Sequence, residues 1–297
     1  MTTESRLRAD IVEVGRRMYA RGYTASNDGN ISARLGSDRL LMTPKSVCKG
    51  FMTADMMCIT DLDGRKLQGD RDPSSEMLMH LEVYRQRQDV HAVVHAHPPI
   101  ATGFAVAGIP LSRAVLAEVV TTLGSIPIAD YATPSTAELP EAVRKYVTAH
   151  DGMLLANHGA LTVGTDLFSA YFKMETIEHF AKISLVARLL GRENLIAREE
   201  VERLQELRGS YGIQAPAPIC ADPAESGDGR VGPGDVATCQ VIEAPTGSGQ
   251  RLVPASLLGK QVRGAPPRDR EDAEIRLTYR ELSALIEEAM RSLGPLG

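Results

Sequence analysis

Hydrophobic positions along the chain alternate between helical and strand spacing, which predicts two kinds of element in alternation. A helical period over 4–21, carried by Leu7, Ile11, Val14 and Met18, ends at Gly22. The same spacing predicts further helices over 74–87, 99–107 and 166–190. Short apolar runs predict strands at 31–34, 39–43, 56–60, 91–96 and 153–156. Helices interleaved with short strands indicate an α/β domain layered around a central sheet.

The composition and the hydrophobic periodicity of the sequence change after residue 213. Residues 214–269 are rich in Pro, Gly, Ala and Ser and lack periodicity, which predicts a linker with little order. The last segment is regular again: apolar residues recur at helical spacing from Leu282 to Leu293, after a capping box of Thr278 and Glu281. The chain is therefore expected to hold an α/β domain at 1–213, a linker at 214–269 and an amphipathic helix within 270–297.

Composition narrows the classes of function. The chain has 297 residues, a formal charge of −5, no Trp and five Phe, which argues against a nucleic-acid binder with a basic face. Apolar runs are too short for a membrane span, and the N-terminal residues lack the apolar region of a signal peptide. The four cysteines have no C-x-x-C spacing, which fits a cytoplasmic protein and disfavours a cysteine zinc site.

Two histidines dominate the chemistry of the sequence. His95 and His97 close the apolar run before Pro98, and residues at i and i+2 of a strand point to the same side. His158, at the end of another apolar run, could add a third nitrogen. Three imidazoles can hold a catalytic zinc that keeps one open coordination position. The alternative is that these histidines only pack in the core. The other histidines are interpreted as structural or surface residues: His80, His91, His150 and His179.

A carboxylate and two hydroxyls open the predicted helix at 74–87. Glu76 either stabilises the first helical turn through the helix dipole or serves as a base near the metal. Ser74 or Ser75 is expected to be the N-cap, and the free N–H groups of this turn make an anion site. The small polar loops at 27–30 and 43–46 are weak signals by themselves.

Taken together, several motifs resemble the class II aldolase/adducin family, a zinc-dependent group that includes L-fuculose-1-phosphate aldolase and L-ribulose-5-phosphate 4-epimerase. The matching pieces are 28–34, 43–46, 74–76 with His80 and Tyr84, 92–97, 125–127 with 131–133, 157–159 and 211–212. They cover about residues 1–213 in family order. The resemblance implies a three-layer α/β fold with a central, mostly antiparallel sheet flanked by helices. It also implies a homotetramer with active sites at subunit interfaces.

The resemblance further implies roles for individual residues. One Zn²⁺ per subunit would be held by His95, His97 and His158, with Glu76 as an additional ligand and catalytic carboxylate. Tyr211 matches the family's C-terminal tyrosine and would be the second catalytic residue. The phosphate of the substrate would be bound by six residues: Asn30, Thr43, Lys45, Ser46, Ser74 and Ser75.

The implied reaction is retro-aldol cleavage of a ketose 1-phosphate such as L-fuculose 1-phosphate, which yields dihydroxyacetone phosphate and a small aldehyde such as lactaldehyde. Zinc would act as the Lewis acid for the developing negative charge. Two departures leave the substrate open: Leu116 stands where the fuculose enzymes have a proton-donor tyrosine, and Ser46 replaces a usual glycine. Three alternatives remain: an L-ribulose-5-phosphate 4-epimerase, a methylthioribulose-phosphate dehydratase, and an adducin-like scaffold without catalysis.

The C-terminal extension has its own two interpretations. A loose linker followed by a short amphipathic helix resembles the encapsulation peptides of bacterial microcompartments, which predicts a shell protein as partner. The alternative is that the helix packs on its own subunit or on a neighbour, as amphipathic helices usually do. The enzyme is accordingly expected in the cytoplasm, free or within a microcompartment.

Overall fold

An eight-stranded sheet forms the centre of the described α/β domain. The structure is a computed structural model that describes residues 3–214, 217–219, 239–243 and 251–254, all within the unit Met1–Leu258. The strands of the sheet are β1 Asn30–Arg34, β2 Arg39–Met42, β3 Cys58–Asp61, β4 Lys66–Gln68, β5 Ala92–Ala96, β6 Ile128–Ala129, β7 Gly152–Leu155 and β8 Gly159–Gly164. Their order is β4-β3-β2-β1-β5-β8-β7-β6. Only β6 and β7 pair in parallel, so the prediction of a mostly antiparallel sheet is confirmed.

Helices cover both faces of this sheet. Their bounds are α1 Thr3–Ala20, α2 Met77–Gln86, α3 Pro99–Val106, α4 Ala117–Thr122, α5 Glu138–Val147, α6 Leu167–Leu189 and α7 Arg198–Leu207. One apolar core joins α1, α3 and α6 to the first face of the sheet. A second core joins α2 and α5 to the opposite face. The three-layer α/β architecture is therefore as predicted.

Strands β1 and β5 place alternate residues in these two layers. Ile31 and Val94 belong to the core beneath α1, α3 and α6, whereas Val93 belongs to the core beneath α2 and α5. Because side chains alternate along a strand, Asn30, Ser32 and His95 turn towards α2. Asn30 and His95 are also directly opposite each other in the antiparallel ladder. The sheet thus collects polar side chains under the start of α2.

Several element boundaries differ from the sequence expectation. The predicted helix 74–87 begins only at Met77, and the predicted strand 56–60 is shifted to Cys58–Asp61 because 54–56 forms a 3₁₀ turn. Helix α5 and strand β8 are not among the predicted elements. In α5, Pro140 obscures the pattern, yet it lies in the first turn, where the missing N–H costs no helical hydrogen bond.

The described part of the C-terminal region contains one strand pair. Strands β9 Cys239–Glu243 and β10 Arg251–Pro254 pair antiparallel within the segment expected to be a linker. The expected helix at 278–293 lies outside the described residues, so the domain boundaries after residue 213 stay predictions. Among the helices that the structure describes, none is long and apolar enough to cross a membrane.

Candidate metal centre

The histidine pair lies at the end of strand β5, on the side that faces α2. The rings of His95 and His97 have centroids 4.9 Å apart, and their Nε2 atoms are separated by 3.1 Å. Nδ1 of His95 lies 2.9 Å from the carbonyl oxygen of Ala160 in β8. Since a carbonyl only accepts, Nδ1 carries the proton and the lone pair of Nε2 is turned to its partner histidine.

His158 reaches the same point from the tight connection between β7 and β8. Its ring centroid is 4.7 Å from that of His95 and 5.0 Å from that of His97. The flanking backbone is specialised: Asn157 has a φ of 54°, and a Cβ on Gly159 would lie 2.5 Å from the carbonyl oxygen of Ala96. One ligand atom from each histidine lies within 4.8 Å of the others, so the three predicted ligands do meet.

Glu76 faces this cluster from the N-terminus of α2. Its Oε2 lies 3.2 Å from Nε2 of His95, and its Oε1 lies 3.0 Å from Nε2 of His158. The expectation that Ser74 or Ser75 caps the helix is wrong, because Glu76 itself occupies the N-cap position and makes no side-chain capping bond. Its carboxylate is turned to the histidines instead. The backbone N–H of Glu76 donates to Oγ of Ser74 at 3.3 Å.

The electrostatics of the cluster suit a cation. Burial and the neighbouring His95 and His158 lower the pKa of His97 to about 3, so its imidazole is neutral and able to bind metal at physiological pH. Burial alone would raise the pKa of Glu76, but the neighbouring side chains of His95 and His158 hold it well below its ordinary value. A carboxylate therefore stands beside three imidazoles.

The surroundings of one Glu76 oxygen show whether these residues fit a metal. Oε1 of Glu76 is buried and has no partner of normal hydrogen-bond geometry among the described residues. A divalent cation between Glu76 and the imidazoles would supply that partner. Three histidine nitrogens and a carboxylate oxygen form a donor set that Zn²⁺ favours and that other divalent ions also accept. The residues present therefore fit a divalent metal.

Two further contacts orient the histidines, and neither was expected from the sequence. The carboxylate of Asp28 lies 3.5 Å from Nδ1 of His97, and the carbonyl of Ala160 holds His95. Partners of this kind fix the ring orientation of metal-binding histidines. Asp28 lies in the small polar loop that is only a weak signal in the sequence. A contact made by a backbone carbonyl cannot be predicted from residue types at all.

The predicted phosphate-binding residues come from two loops that the structure brings side by side. Pro44 and Pro73 form an isolated antiparallel bridge, and the N–H of Ser74 donates to the carbonyl of Thr43 at 3.2 Å. Ser46 has a φ of 58°, a left-handed conformation that glycine adopts without strain. Lys45, Ser46 and Ser75 are exposed, whereas Thr43 is buried.

Asn30 and Tyr211, also predicted for the site, lie in different surroundings. Asn30 is buried, and its Nδ2 donates to Oε2 of Glu76 at 2.7 Å. Tyr211 is 64% exposed and lies in the turn after α7. That helix is tied to α4, since Gln205 donates to the carbonyl of Val120. Leu116 is the N-cap residue of α4 and packs against the first core.

Comparison with known proteins defines the family. Residues 9–185 match the model of the class II aldolase and adducin N-terminal domain. The chain belongs to this family, and it is a class II aldolase.

Individual relatives carry three different names. The chain is 33% identical over 208 residues to a 5-deoxy-D-ribulose 1-phosphate aldolase of Bacillus thuringiensis, covering 70% of this chain and 97% of the relative. It is 33% identical over 177 residues to an L-fuculose phosphate aldolase of Methanococcus maripaludis, covering 60% and 95%. It is also 33% identical over 190 residues to a 3-oxo-tetronate 4-phosphate decarboxylase of Pectobacterium atrosepticum, covering 63% and 87%.

Solved structures agree with the fold. An L-fuculose 1-phosphate aldolase matches with a TM-score of 0.64 and 29% identity, covering 68% of this chain and 95% of that one. The L-fuculose-1-phosphate aldolase of Thermus thermophilus matches with a TM-score of 0.57 and 31% identity, covering 64% and 99%. The described three-layer architecture is thus that of the class II aldolases.

Proposed function

We propose that the protein is a zinc-dependent aldolase that cleaves a deoxyketose 1-phosphate, such as L-fuculose 1-phosphate or a 5-deoxypentulose 1-phosphate. The products would be dihydroxyacetone phosphate and a small aldehyde such as lactaldehyde or acetaldehyde. The observation that carries this proposal is the pair of contacts from Glu76 to His95 and His158, at 3.2 and 3.0 Å. These contacts support the proposal of a carboxylate base at the edge of a three-histidine metal site.

Each group has a distinct role in this proposal. His95, His97 and His158 would hold one Zn²⁺ per subunit, with Glu76 at its edge. When bound, the zinc would supply Lewis-acid stabilisation of the negative charge that develops as the C3–C4 bond breaks. In the condensation direction, a carboxylate oxygen of Glu76 would take the proton from the carbon of dihydroxyacetone phosphate that becomes nucleophilic, and it would return that proton after cleavage.

The phosphate would bind outside this centre. The loop at 43–46 and the turn that contains Ser74 and Ser75 offer backbone N–H groups and hydroxyls next to each other, where an anion is favoured. Lys45 would add a positive charge from the exposed side of the loop. Asn30 keeps one more N–H beyond the one given to Glu76, and we propose that it contacts the phosphorylated end of the substrate.

The C4 hydroxyl must lose its proton during cleavage and regain it during condensation, and the group that carries this proton cannot be residue 116, which is a leucine. We propose Tyr211, whose exposed side chain would reach the active site of a neighbouring subunit in a homotetramer. The tetramer itself is proposed from the family resemblance. Measuring the molar mass in solution and the activity of Tyr211→Phe would test both parts.

A decarboxylase is the second candidate, because a decarboxylase is as similar to the chain as the two aldolases are. Loss of CO₂ next to a carbonyl also leaves negative charge on the neighbouring carbon, so the same metal and carboxylate would serve. An epimerase or a dehydratase would act on the same class of phosphorylated ketose. A product assay separates all four reactions.

The experiment uses a panel of ketose 1-phosphates, L-ribulose 5-phosphate, methylthioribulose 1-phosphate and 3-oxo-tetronate 4-phosphate. Release of triose phosphate is followed with a coupled dehydrogenase, and release of CO₂ is followed in parallel. We expect triose phosphate from a deoxyketose 1-phosphate, its loss with a chelator and its return with Zn²⁺. CO₂ as the main product, or a ketose converted without triose phosphate, would contradict the aldolase proposal.

For the C-terminal segment we propose targeting to a microcompartment shell protein, on the sequence pattern of residues 278–293 alone. Deleting 270–297 would then abolish co-purification with shell proteins and leave turnover unchanged. Loss of turnover on deletion would favour the alternative, in which the helix packs on the enzyme.

A further inference from the structure

A row of four hydrogen-bonded side chains leads from the interior of the second core to Glu76. The hydroxyls of Tyr84 and Ser32 are 2.9 Å apart, and Oγ of Ser32 is 2.6 Å from Nδ1 of His80. Nε2 of His80 lies 2.5 Å from Oδ1 of Asn30, whose Nδ2 donates to Oε2 of Glu76 at 2.7 Å. We call Tyr84, Ser32, His80 and Asn30 the relay.

The chemistry of Glu76 determines the direction of every bond in the relay. A carboxylate only accepts, so Asn30 must present its NH₂ group to Glu76 and its carbonyl to His80. That carbonyl requires a proton on Nε2 of His80. In the neutral ring, Nδ1 then accepts the proton of Ser32, and Ser32 accepts that of Tyr84. The reverse orientation of the Asn30 amide would place two oxygens against each other.

Burial leaves the relay little freedom. His80, Asn30, Ser32 and Tyr84 are each at most 3% exposed. Burial, together with the nearby His95, lowers the pKa of His80 to about 3, so the ring stays neutral at physiological pH. Arg34 lies over the ring of Tyr84, 4.8 Å from its centroid, and donates to the carbonyl of the same residue at 2.8 Å. The far end of the relay is therefore fixed to the sheet.

We propose that the relay is the device that positions the Glu76 carboxylate, with His80 as its central positioning residue. Glu76 makes no bond to its own helix terminus, so the orientation of its side chain has to come from elsewhere. His80, one turn further along α2, supplies it through Asn30. The inference rests on the proposed function in so far as it assigns Glu76 as the base of the reaction.

Kinetics of variants test this role. His80→Leu removes both hydrogen bonds, and we expect kcat to fall about 10- to 100-fold while KM changes less than about twofold. His80→Gln can still donate to Asn30, and it should recover part of the loss. Ser32→Ala should lower kcat less than His80→Leu does, and Tyr84→Phe should lower it least, because each change cuts the relay further from Glu76. Equal losses in kcat for Tyr84→Phe and His80→Leu would overturn the proposal.

A double-mutant cycle distinguishes positioning from general stability. In an Asn30→Ala background the relay is already cut, so adding His80→Leu should lower kcat by less than about twofold more. The same fold loss in both backgrounds would mean that His80 acts independently of Asn30. His150→Leu is the matched control: this histidine is also fully buried, and its Nδ1 faces the carbonyl of Ser125. We expect His150→Leu to keep kcat.

Crystal structures of the full-length wild type and His80→Leu complete the test without a substrate. We expect the Glu76 carboxylate of His80→Leu to leave its position, with loss of the 2.7 Å bond from Asn30 and of the contacts to His95 and His158. An unmoved carboxylate would overturn the proposal. Because this comparison does not depend on turnover, failure of the relay is distinguishable from failure of the proposed function.

Discussion

Asn30 and His95 are directly opposite each other in neighbouring antiparallel strands, and both contact the same oxygen of Glu76, at 2.7 and 3.2 Å. The sheet thus fixes the carboxylate at the start of a helix. A register shift of one residue between these strands would turn one of the two side chains to the opposite face. The register of the central sheet is therefore what brings the Glu76 carboxylate to the three histidines.

His158 is expected to be essential for metal binding. His158→Ala leaves two imidazoles and one carboxylate, and we expect the bound metal after dialysis to fall to less than about a tenth of the wild-type content, since each ligand contributes strongly to affinity. Elemental analysis of the purified protein measures this. His179→Ala, at an exposed histidine of α6, is the control and should keep its metal. Full metal content in His158→Ala would contradict the assignment.

Gly159 is expected to tolerate no side chain. A Cβ there would lie 2.5 Å from the Ala96 carbonyl oxygen and 2.6 Å from Cδ2 of His97, so Gly159→Ala must displace the Ala96 carbonyl and the ring of His97, a proposed metal ligand. We expect a loss of about 1–3 kcal/mol in the free energy of unfolding and weaker metal binding, measured by urea denaturation and metal titration.

Gly103 is the matched control for that substitution. It lies within helix α3, and a Cβ there would meet nothing within 4 Å. Gly103→Ala should therefore raise the free energy of unfolding by up to about 1 kcal/mol, because alanine is the better helix former. Equal stability losses for the two glycines would contradict the steric argument.

Lys49 is expected to make the free energy of unfolding depend on pH. Its Nζ donates to the carbonyls of Asn27 and Val47 at 2.9 and 2.7 Å. Burial lowers its pKa to about 8, while Cys48, Asp28 and Glu76 oppose the shift. In the unfolded chain the pKa is about 10.4. Between about pH 8 and about pH 10.4 the unfolded state therefore binds more protons at Lys49 than the folded state does. The contribution of Lys49 to the free energy of unfolding rises as the pH increases through this range.

The comparison with Lys49→Met isolates this contribution. The unfolding free energy of the wild type minus that of Lys49→Met should rise by about 1–3 kcal/mol between pH 7.5 and pH 10. Denaturant titrations at a series of pH values measure it. A difference that stays constant with pH would mean that the amine has an ordinary pKa in the folded protein.

Lys45 tests the proposed phosphate site. If this exposed lysine attracts the phosphate, Lys45→Ala should raise KM about 3- to 10-fold and leave kcat unchanged, and the effect should shrink at high salt. The control is Lys145→Ala, which removes an exposed lysine of α5 that pairs with Asp130 and belongs to neither of the two loops proposed to bind phosphate. An unchanged KM in Lys45→Ala would show that Lys45 only faces solvent.

Much of the fold and of the metal centre could be predicted because local patterns carry them. The spacing of His95 and His97 and the apolar strand around them place both rings on one side, and the stripe through Leu167, Ala170 and Met174 predicts the long helix α6. The third candidate ligand, His158, could be proposed only together with the family motifs, because a single histidine in an apolar strand has many possible roles.

The relay could not be predicted in the same way, since it depends on contacts between distant segments. His80 alone is a polar residue on a helix, and its sequence context favours a structural or surface position. Its proposed positioning role depends on β1, which brings Asn30 and Ser32 beneath α2. Two signals were present: His80 lies one helical turn after Glu76, and Asn30 and Ser32 alternate with the apolar Ile31 and Ala33.

The most direct test of the central claim is hydrogen exchange of dihydroxyacetone phosphate in D₂O, followed by NMR. This half-reaction needs no aldehyde, so it does not depend on which sugar is cleaved. We predict that the zinc-loaded enzyme replaces one of the two C3 hydrogens with deuterium, and that Glu76→Gln slows the exchange at least about 100-fold while His95, His97 and His158 still retain the metal. Equal exchange rates in the wild type and in Glu76→Gln would contradict the claim that Glu76 is the base.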